Sequence, residues 1–148
     1  MVWGCFSAHG LGNLTFIDGI MRAIDYRNIL NENLQASANK MGLGNDFVFQ
    51  QDNDPKHTPK LVKTYFEDND ITVLEWPANS PDLNPIEHIG RYLERKVVRN
   101  SVKSKAELKR RILQEWNKIE PSFIKKLVES MLKRLASVIN AKGGHAKY

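Results

Sequence analysis

The chain has 148 residues, enough for one domain with a sizeable core, and its apolar content of 41% favours a globular fold over disorder. No apolar run approaches the roughly 20 residues that a membrane-spanning helix needs, and the first residues lack the charge and length of a secretory signal, so we expect no membrane partner. The net charge of +5 is unevenly divided along the chain. Residues 1–90 contain 6 Lys and Arg and 12 Asp and Glu, whereas residues 91–148 contain 16 Lys and Arg and 5 Asp and Glu.

The chain opens with a predicted β-hairpin. Residues 2–7 and 14–17 have strand composition, and residues 9–13 between them are rich in turn formers. Cys5 is the only cysteine, which excludes an internal disulfide and indicates a reducing compartment, and we interpret it as a small core residue. A helix follows, because apolar side chains repeat at helical spacing at Tyr26, Ile29, Leu30 and Leu34.

The middle of the chain alternates strand and helix. Residues 47–51 form a short apolar run that predicts a buried strand, and residues 71–76 predict a second strand that Pro77 ends. A helix that ends near Asn69 separates them, as the spacing of Leu61, Val62, Tyr65 and Phe66 indicates. A proline-rich loop follows, and Pro85 is expected to open the next helix, because proline suits the first helical position.

The last third of the chain is predicted to be helical. One apolar stripe contains Leu108, Ile112, Trp116 and Ile119, and a second contains Ile124, Leu127, Met131, Leu135 and Val138. Pro121 separates the two, and Gly143-Gly144 begins a frayed tail. The order of elements predicts an α/β sheet with a helical C-terminal extension.

Two carboxylates occupy positions typical of a metal site. Asp52 follows the strand predicted at 47–51, and ligands of open α/β sheets bind beyond the carboxyl ends of strands. Glu87 lies in the first turn of the helix that Pro85 opens, and 34 residues separate it from Asp52. If both converge on one hard cation, they could support phosphodiester chemistry, in which two Mg²⁺ ions about 4 Å apart clamp the attacking and leaving oxygens.

Each of these residues also has a structural interpretation. Asp52 with Asn53, Asp54 and Pro55 could form a turn, and Asn84 with Glu87 could form a capping box. The chain also contains three tryptophans and two motif histidines. His57 and His88 could be ligands or polar contacts, and Trp3, Trp76 and Trp116 are expected in the core.

Three stretches of the chain together resemble the Tc/mariner superfamily of transposases, on its Tc-like branch. They are Val2–Ser7 (VWGCFS), Gln50–Thr58 (QQDNDPKHT) and Ser80–His88 (SPDLNPIEH), and residues 141–148 look like the natural C-terminus of that family. The resemblance covers essentially the whole chain. It implies an RNase H-like fold (the DDE integrase/transposase fold) and makes Asp52 and Glu87 the second and third members of an Asp-Asp-Glu triad that binds Mg²⁺ or Mn²⁺.

The sequence departs from the family pattern in two places. The family's first triad Asp lies on a strand upstream of Trp3, as do its paired helix-turn-helix modules, so we expect an N-terminally truncated domain that lacks its first, central strand. The sheet should then divide into a hairpin and a parallel pair or change its register, and the chain should bind metal weakly, cleave no DNA alone and tend to self-associate. Gly90 stands where the family usually has Trp.

The resulting interpretation assigns residues 1–99 to the truncated catalytic domain and residues 100–148 to a basic helical extension. The resemblance implies DNA as the partner, no small-molecule substrate, and a nuclear location. A rival interpretation is a transposase-derived scaffold that holds nucleic acid or protein through its basic C-terminal helices, although a basic helix can also be only a solvated surface. The DNA-binding candidates are Arg91, Arg95, Lys96, Arg99, Lys103, Lys109, Arg110 and Arg111.

Overall fold

The structure is a computed structural model of the chain, and it forms two compact units, Met1–Asn79 and Ser80–Tyr148. It describes residues 1–55, 57, 59–77, 80, 83–98 and 102–141. No helix in these ranges is both long enough and apolar enough to cross a membrane. The domain boundary expected at residue 99 stays a prediction, because a compact unit and a family domain need not share their limits.

The first unit opens with the predicted hairpin. Strands β1 (Val2–Ser7) and β2 (Gly10–Phe16) pair antiparallel, from Val2 opposite Phe16 to Ser7 opposite Gly10. The turn is therefore shorter than the predicted stretch 9–13, and β2 begins earlier than residue 14. The register shifts between Gly4 and Phe6, which produces a bulge.

Helix α1 (Ala23–Lys40) packs on this hairpin at the bulge. The backbone N–H of Asn13 donates to Ser37 Oγ at 2.8 Å, and Ser37 is fully buried, so the helix satisfies a backbone donor that a bulge would otherwise leave unpaired. A Cβ atom at Gly12 would lie 2.5 Å from Cys5 Sγ and 2.7 Å from Ser37 Cβ, so the close approach requires glycine there. Burial raises the pKa of the Cys5 thiol, which agrees with its predicted structural role.

The core of the first unit lies between α1 and helix α2 (Lys60–Asp68). The four residues that predicted α1 are all buried, and so are Val62, Tyr65 and Phe66 of α2. Strands β3 (Val48–Phe49) and β4 (Thr72–Val73) pair in parallel against this core, and Leu74 N donates to Phe49 O at 2.8 Å. Both strands are shorter than the predicted segments 47–51 and 71–76.

The two pairs of strands belong to separate sheets. In the described part of the chain, β1–β2 and β3–β4 each form a two-stranded sheet. A hairpin beside a separate parallel pair is the first of the two arrangements that we expected.

Among its described residues, the second unit contains three helices, α3 (Ile86–Val98), α4 (Lys105–Asn117) and α5 (Pro121–Asn140). Helix α3 begins one residue after the expected Pro85, and Pro121 is the first residue of α5 rather than a separator. Helix α3 packs against α4, and the rings of Tyr92 and Phe123 lie 5.1 Å apart between α3 and α5. Trp116 is buried as predicted, whereas Trp3 and Trp76 are only partly buried.

Helix α5 corrects one detail of its predicted stripe. Ile124 and Leu127 are buried, but Leu135 is 42% exposed, whereas Arg134 beside it is 7% exposed. Positions 124, 127, 131, 134 and 138 are spaced by three and four residues, so a charged residue completes the inward-facing stripe.

Candidate metal site and nucleic-acid surface

Asp52 lies in the loop that follows β3, as the sequence predicted. Its Oδ1 atom accepts two hydrogen bonds, from the backbone N–H of Asp54 at 3.1 Å and from His57 Nδ1 at 2.7 Å. Its Oδ2 atom accepts no hydrogen bond from the residues that the structure describes. The side chain is 47% exposed, and carboxylate oxygens are the ligands that Mg²⁺ and Mn²⁺ prefer, so Asp52 fits as a cation ligand.

The turn interpretation of this loop is correct as a description of its backbone. The Asp54 N–H donates to the Asp52 side chain, which is the Asx-turn pattern, and His57 N donates to Asp54 O at 2.8 Å. The Asp54 N–H bond, together with the bond from His57 Nδ1, fixes the Asp52 carboxylate. The turn therefore holds the candidate ligand and does not exclude a metal site.

Asn53 connects this loop to the neighbouring strand. Its side-chain amide donates to Trp76 O at 2.8 Å, just beyond β4. The loop after β3 is thus attached to the carboxyl end of the parallel partner, the edge at which open α/β sheets bind ligands.

His57 is a polar contact of Asp52, which is one of the two interpretations that the sequence left open. Its ring stacks on the Tyr26 ring at 4.0 Å between centroids, and only 15% of its side chain is exposed. Tyr26 was predicted only as a core residue of α1. Helical spacing predicts that a side chain is buried but not which residue it contacts. The contact between Tyr26 and His57 therefore could not be predicted from the spacing.

Glu87 occupies the first turn of α3, and its side chain is exposed. Its backbone N–H donates to Asn84 O at 3.3 Å. Among the described residues the Asn84 side chain makes no hydrogen bond to Glu87, so the capping-box alternative is not formed. The carboxylate is therefore not committed to capping the helix.

His88, the residue after Glu87, lies between two arginines. Its Nε2 atom contacts Arg134 Nη1 of α5 and, at 3.5 Å, Arg91 Nη2. Arg134 was not singled out in the sequence. The sequence did contain a signal, because Arg134 occupies a position of the apolar stripe of α5. A charged side chain at such a position is buried and needs a polar partner.

Asp52 belongs to the first unit and Glu87 to the second. Their convergence on one ion therefore stays a prediction. Within the described residues no group of three or more His, Cys, Asp or Glu side chains could hold a metal ion.

The basic candidates on α3 and α4 differ in how they are engaged. Arg91, Arg95 and Lys96 are exposed on α3, and Lys96 lies over the Tyr92 ring at 5.5 Å. On α4, Arg111 pairs with Glu107 at 2.6 Å, and Arg110 donates to Gln114 at 3.2 Å. Lys103 precedes the helix, Lys109 lies on it and is partly buried, and Arg99 falls outside the described residues.

Comparison with known proteins identifies relatives along the whole chain. Residues 2–109 match the family model described as DDE superfamily endonuclease. The chain is 45% identical to the transposable element Tcb2 transposase of Caenorhabditis briggsae and 43% identical to the Tc1 transposase of Caenorhabditis elegans. All of this chain is covered, but only 54% of each relative, so the chain spans about half the length of the curated relatives that it matches.

Two solved structures have a similar fold. The Mos1 transposase catalytic domain with raltegravir and Mn superposes with a TM-score of 0.90 at 18% identity, over 99% of this chain and 76% of that chain. The Mos1 mariner paired end complex with Mn superposes with a TM-score of 0.90 at 19% identity, over 99% of this chain and 44% of that chain. The predicted α/β, RNase H-like fold is therefore confirmed.

Proposed function

The chain belongs to the DDE superfamily endonuclease family, and on that basis we propose that it supplies two metal-binding carboxylates, Asp52 and Glu87, to a Tc/mariner-type transposase catalytic domain. The reaction would be divalent-metal-dependent phosphodiester cleavage and strand transfer. Because the chain spans about half of its relatives, this activity is proposed for a protein that contains the segment.

The geometry of Asp52 is the observation that carries this proposal. Asp52 follows a parallel strand at its carboxyl end, and its Oδ1 atom accepts hydrogen bonds from two donors. The carboxylate is about half exposed, and its Oδ2 atom has no hydrogen-bond donor among the described residues. A carboxylate held in this way is preorganised for a cation. When bound, two divalent ions would stabilise the charge on the attacking and leaving oxygens of the displaced phosphodiester. The chain's own contribution is to hold Asp52 and Glu87 as oxygen ligands.

Mg²⁺ or Mn²⁺ is the proposed cofactor, and the Mos1 structures solved with Mn and with Mg support this choice for the family. The test is Mn²⁺ binding to the 148-residue chain, measured by the electron paramagnetic resonance signal of free Mn²⁺. Asp52→Asn and Glu87→Gln should each reduce binding, because each removes a charged oxygen ligand. Asp46→Asn and Glu94→Gln, which alter exposed acids outside the proposed site, are the matched controls.

DNA is the proposed macromolecular partner. A Mos1 structure described as a paired-end complex with the left transposon end supports this choice by family analogy. We expect the 148-residue polypeptide to leave DNA uncleaved with either metal, because the resemblance assigns only two triad carboxylates to this sequence. Cleavage that Asp52→Asn abolishes would contradict that expectation. A nuclear location is proposed on the same family basis. Self-association is proposed because two separate two-stranded sheets leave backbone groups at their strand edges.

The second candidate is a nucleic-acid-binding module that acts through the basic helices. The exposed cations of α3 favour it, together with the excess of Lys and Arg after residue 90. A salt titration of DNA binding with and without Mg²⁺ separates the two. Affinity that needs the metal supports the carboxylate site, whereas metal-independent affinity with a steep salt slope supports the basic module.

A further inference from the structure

The contact between His57 and Asp52 has a defined direction. His57 Nδ1 lies 2.7 Å from Asp52 Oδ1, and an ionised carboxylate can only accept a hydrogen bond. Nδ1 must therefore carry the proton and donate it to Oδ1. Since the imidazole is only 15% exposed, water competes poorly for this bond.

Two side chains fix the position of His57. The ring of Tyr26, which is 1% exposed, stacks on the imidazole at 4.0 Å and 28° between ring planes. The Gln51 amide bridges both residues, because its Oε1 accepts from the Tyr26 hydroxyl at 2.8 Å and its Nε2 donates to His57 O at 3.3 Å. The imidazole is thus held by a core residue of α1 on its face and by Gln51 through its backbone.

The Tyr26 hydroxyl stays a hydrogen-bond donor in this arrangement. Burial raises the pKa of Tyr26 well above its ordinary value, and the nearby carboxylate of Asp52 raises it further. The hydroxyl therefore remains protonated at neutral pH, and its bond to Gln51 Oε1 orients the Gln51 amide.

We propose that His57 is a positioning residue that fixes the Asp52 carboxylate with Oδ1 engaged and Oδ2 presented to a divalent cation. This inference rests on the proposed function, in which Asp52 is a metal ligand. Both donors reach the same oxygen, so they restrict rotation of the carboxylate about its Cβ–Cγ bond. Hydrogen bonds to ligating carboxylates commonly contribute about 10- to 100-fold in metal affinity.

Two substitutions separate this role from simple packing. His57→Phe keeps an aromatic ring against Tyr26 but has no donor. His57→Asn removes the stacked ring but keeps a nitrogen donor attached to Cγ, the position that Nδ1 occupies in histidine. Mn²⁺ affinity is measured for both by paramagnetic resonance, and far-UV circular dichroism checks that both fold.

The proposal predicts that His57→Phe weakens Mn²⁺ binding about 10-fold or more, whereas His57→Asn stays within about 3-fold of the parent chain. A packing role predicts the reverse order, because the asparagine variant loses the stack. If Asp52→Asn removes Mn²⁺ binding but His57→Phe binds normally, the role of His57 is wrong and the proposed function stands. If Mn²⁺ binding does not depend on Asp52, the proposed function is wrong and the role of His57 is wrong with it.

A metal-free measurement tests the hydrogen bond itself. Long-range proton–nitrogen NMR correlation at about pH 8, where an ordinary histidine is neutral, reports which ring nitrogen carries the proton. The proposal predicts the Nδ1-protonated tautomer in the parent chain and loss of that preference in Asp52→Ala. The Nε2-protonated tautomer in the parent chain would overturn the proposal.

Discussion

Arg134 of α5 donates its guanidinium to His88 of α3, 46 residues earlier in the chain. The arginine is 7% exposed, and its Nε atom also donates to Ser130 Oγ at 3.0 Å. A buried guanidinium bound to an imidazole nitrogen makes the start of α3, where Glu87 lies, depend on α5.

Replacing this arginine should destabilise the second unit. Arg134→Met keeps most of the side-chain length but removes the part-buried bond to His88 Nε2, which costs about 1–3 kcal/mol. Urea unfolding followed by circular dichroism measures the difference. Lys133→Met is the matched control, because it changes an exposed cation of the same helix and should alter stability by less than about 0.5 kcal/mol. Equal effects from both variants would argue against the buried contact.

The sequence predicted more of the elements than of the contacts between them. Tyr26, Ile29, Leu30 and Leu34 recur at helical spacing, and all four are buried in α1, because a stripe reports burial directly. The run at 47–51 overestimated β3, since apolar composition does not reveal that only Val48 and Phe49 find partners on β4.

The site was predicted only in part for the same reason. Asp52 was identified from its place after a strand and from a family motif. The His57 ring that contacts it is held by stacking on Tyr26, which lies on α1 in a distant part of the chain. Local periodicity carries no signal of such contacts. The Arg134–His88 contact was not predicted either, although Arg134 stands in the register of the apolar stripe.

Gly12 provides a second stability prediction. Gly12→Ala places a methyl group 2.5 Å from Cys5 Sγ and 2.7 Å from Ser37 Cβ, so the hairpin must move away from α1. The overpacking should cost about 1–3 kcal/mol of unfolding free energy in urea melts.

Gly90→Ala is the opposite case and serves as the control. Apart from the adjacent residues and the backbone of α3 itself, no described atom lies within 4 Å of the position of a Cβ atom at Gly90, and the residue is exposed within α3. Alanine should therefore raise stability by about 0.5–1 kcal/mol through helix propensity. If Gly90→Ala were destabilised and Gly12→Ala were neutral, neither the close packing at Gly12 nor the open space at Gly90 would be supported.

The start of α4 should contribute a pH-dependent part of the stability. The backbone N–H of Lys103 and then the Arg111 guanidinium hold the pKa of Glu107 below its ordinary value. A group whose pKa is lower in the folded state stabilises the protein at pH values above its unfolded-state pKa, which is about 4.3 for glutamate. This contribution is lost as the pH falls through the folded-state pKa. Glu107→Gln should therefore be less stable than the parent at neutral pH, and the two should converge in urea melts as the pH falls below the folded-state pKa of Glu107. A constant difference at all pH values would argue against the ionised contact.

DNA binding should depend more on α3 than on α4. Arg91 and Arg95 are exposed one helical turn apart, whereas Arg110 is bonded to Gln114 and Lys109 is partly buried. Replacing Arg91 and Arg95 with Ala should weaken binding and lower the salt slope by about 0.9 for each phosphate that the variant no longer neutralises. The double variant Lys109→Ala/Arg110→Ala should show a smaller effect in the same fluorescence-anisotropy titration.

Lys60→Ala/Lys63→Ala is the charge-matched control for these variants, because it removes two exposed cations from α2 in the first unit. It should leave the affinity nearly unchanged. Equal decreases in affinity in all three double variants would mean that net charge, and not the α3 surface, determines binding.

The proposal that Asp52 and Glu87 bind the same ions is tested most directly by paramagnetic broadening of backbone amide signals on addition of Mn²⁺. If both carboxylates bind the same ions, signals near Asp52 and signals near Glu87 must broaden at the same Mn²⁺ concentration, although the two residues belong to different units. Asp52→Ala should then abolish the broadening around Glu87 as well as around residue 52. Broadening near Glu87 that persists unchanged in Asp52→Ala would show that the two carboxylates do not form one site.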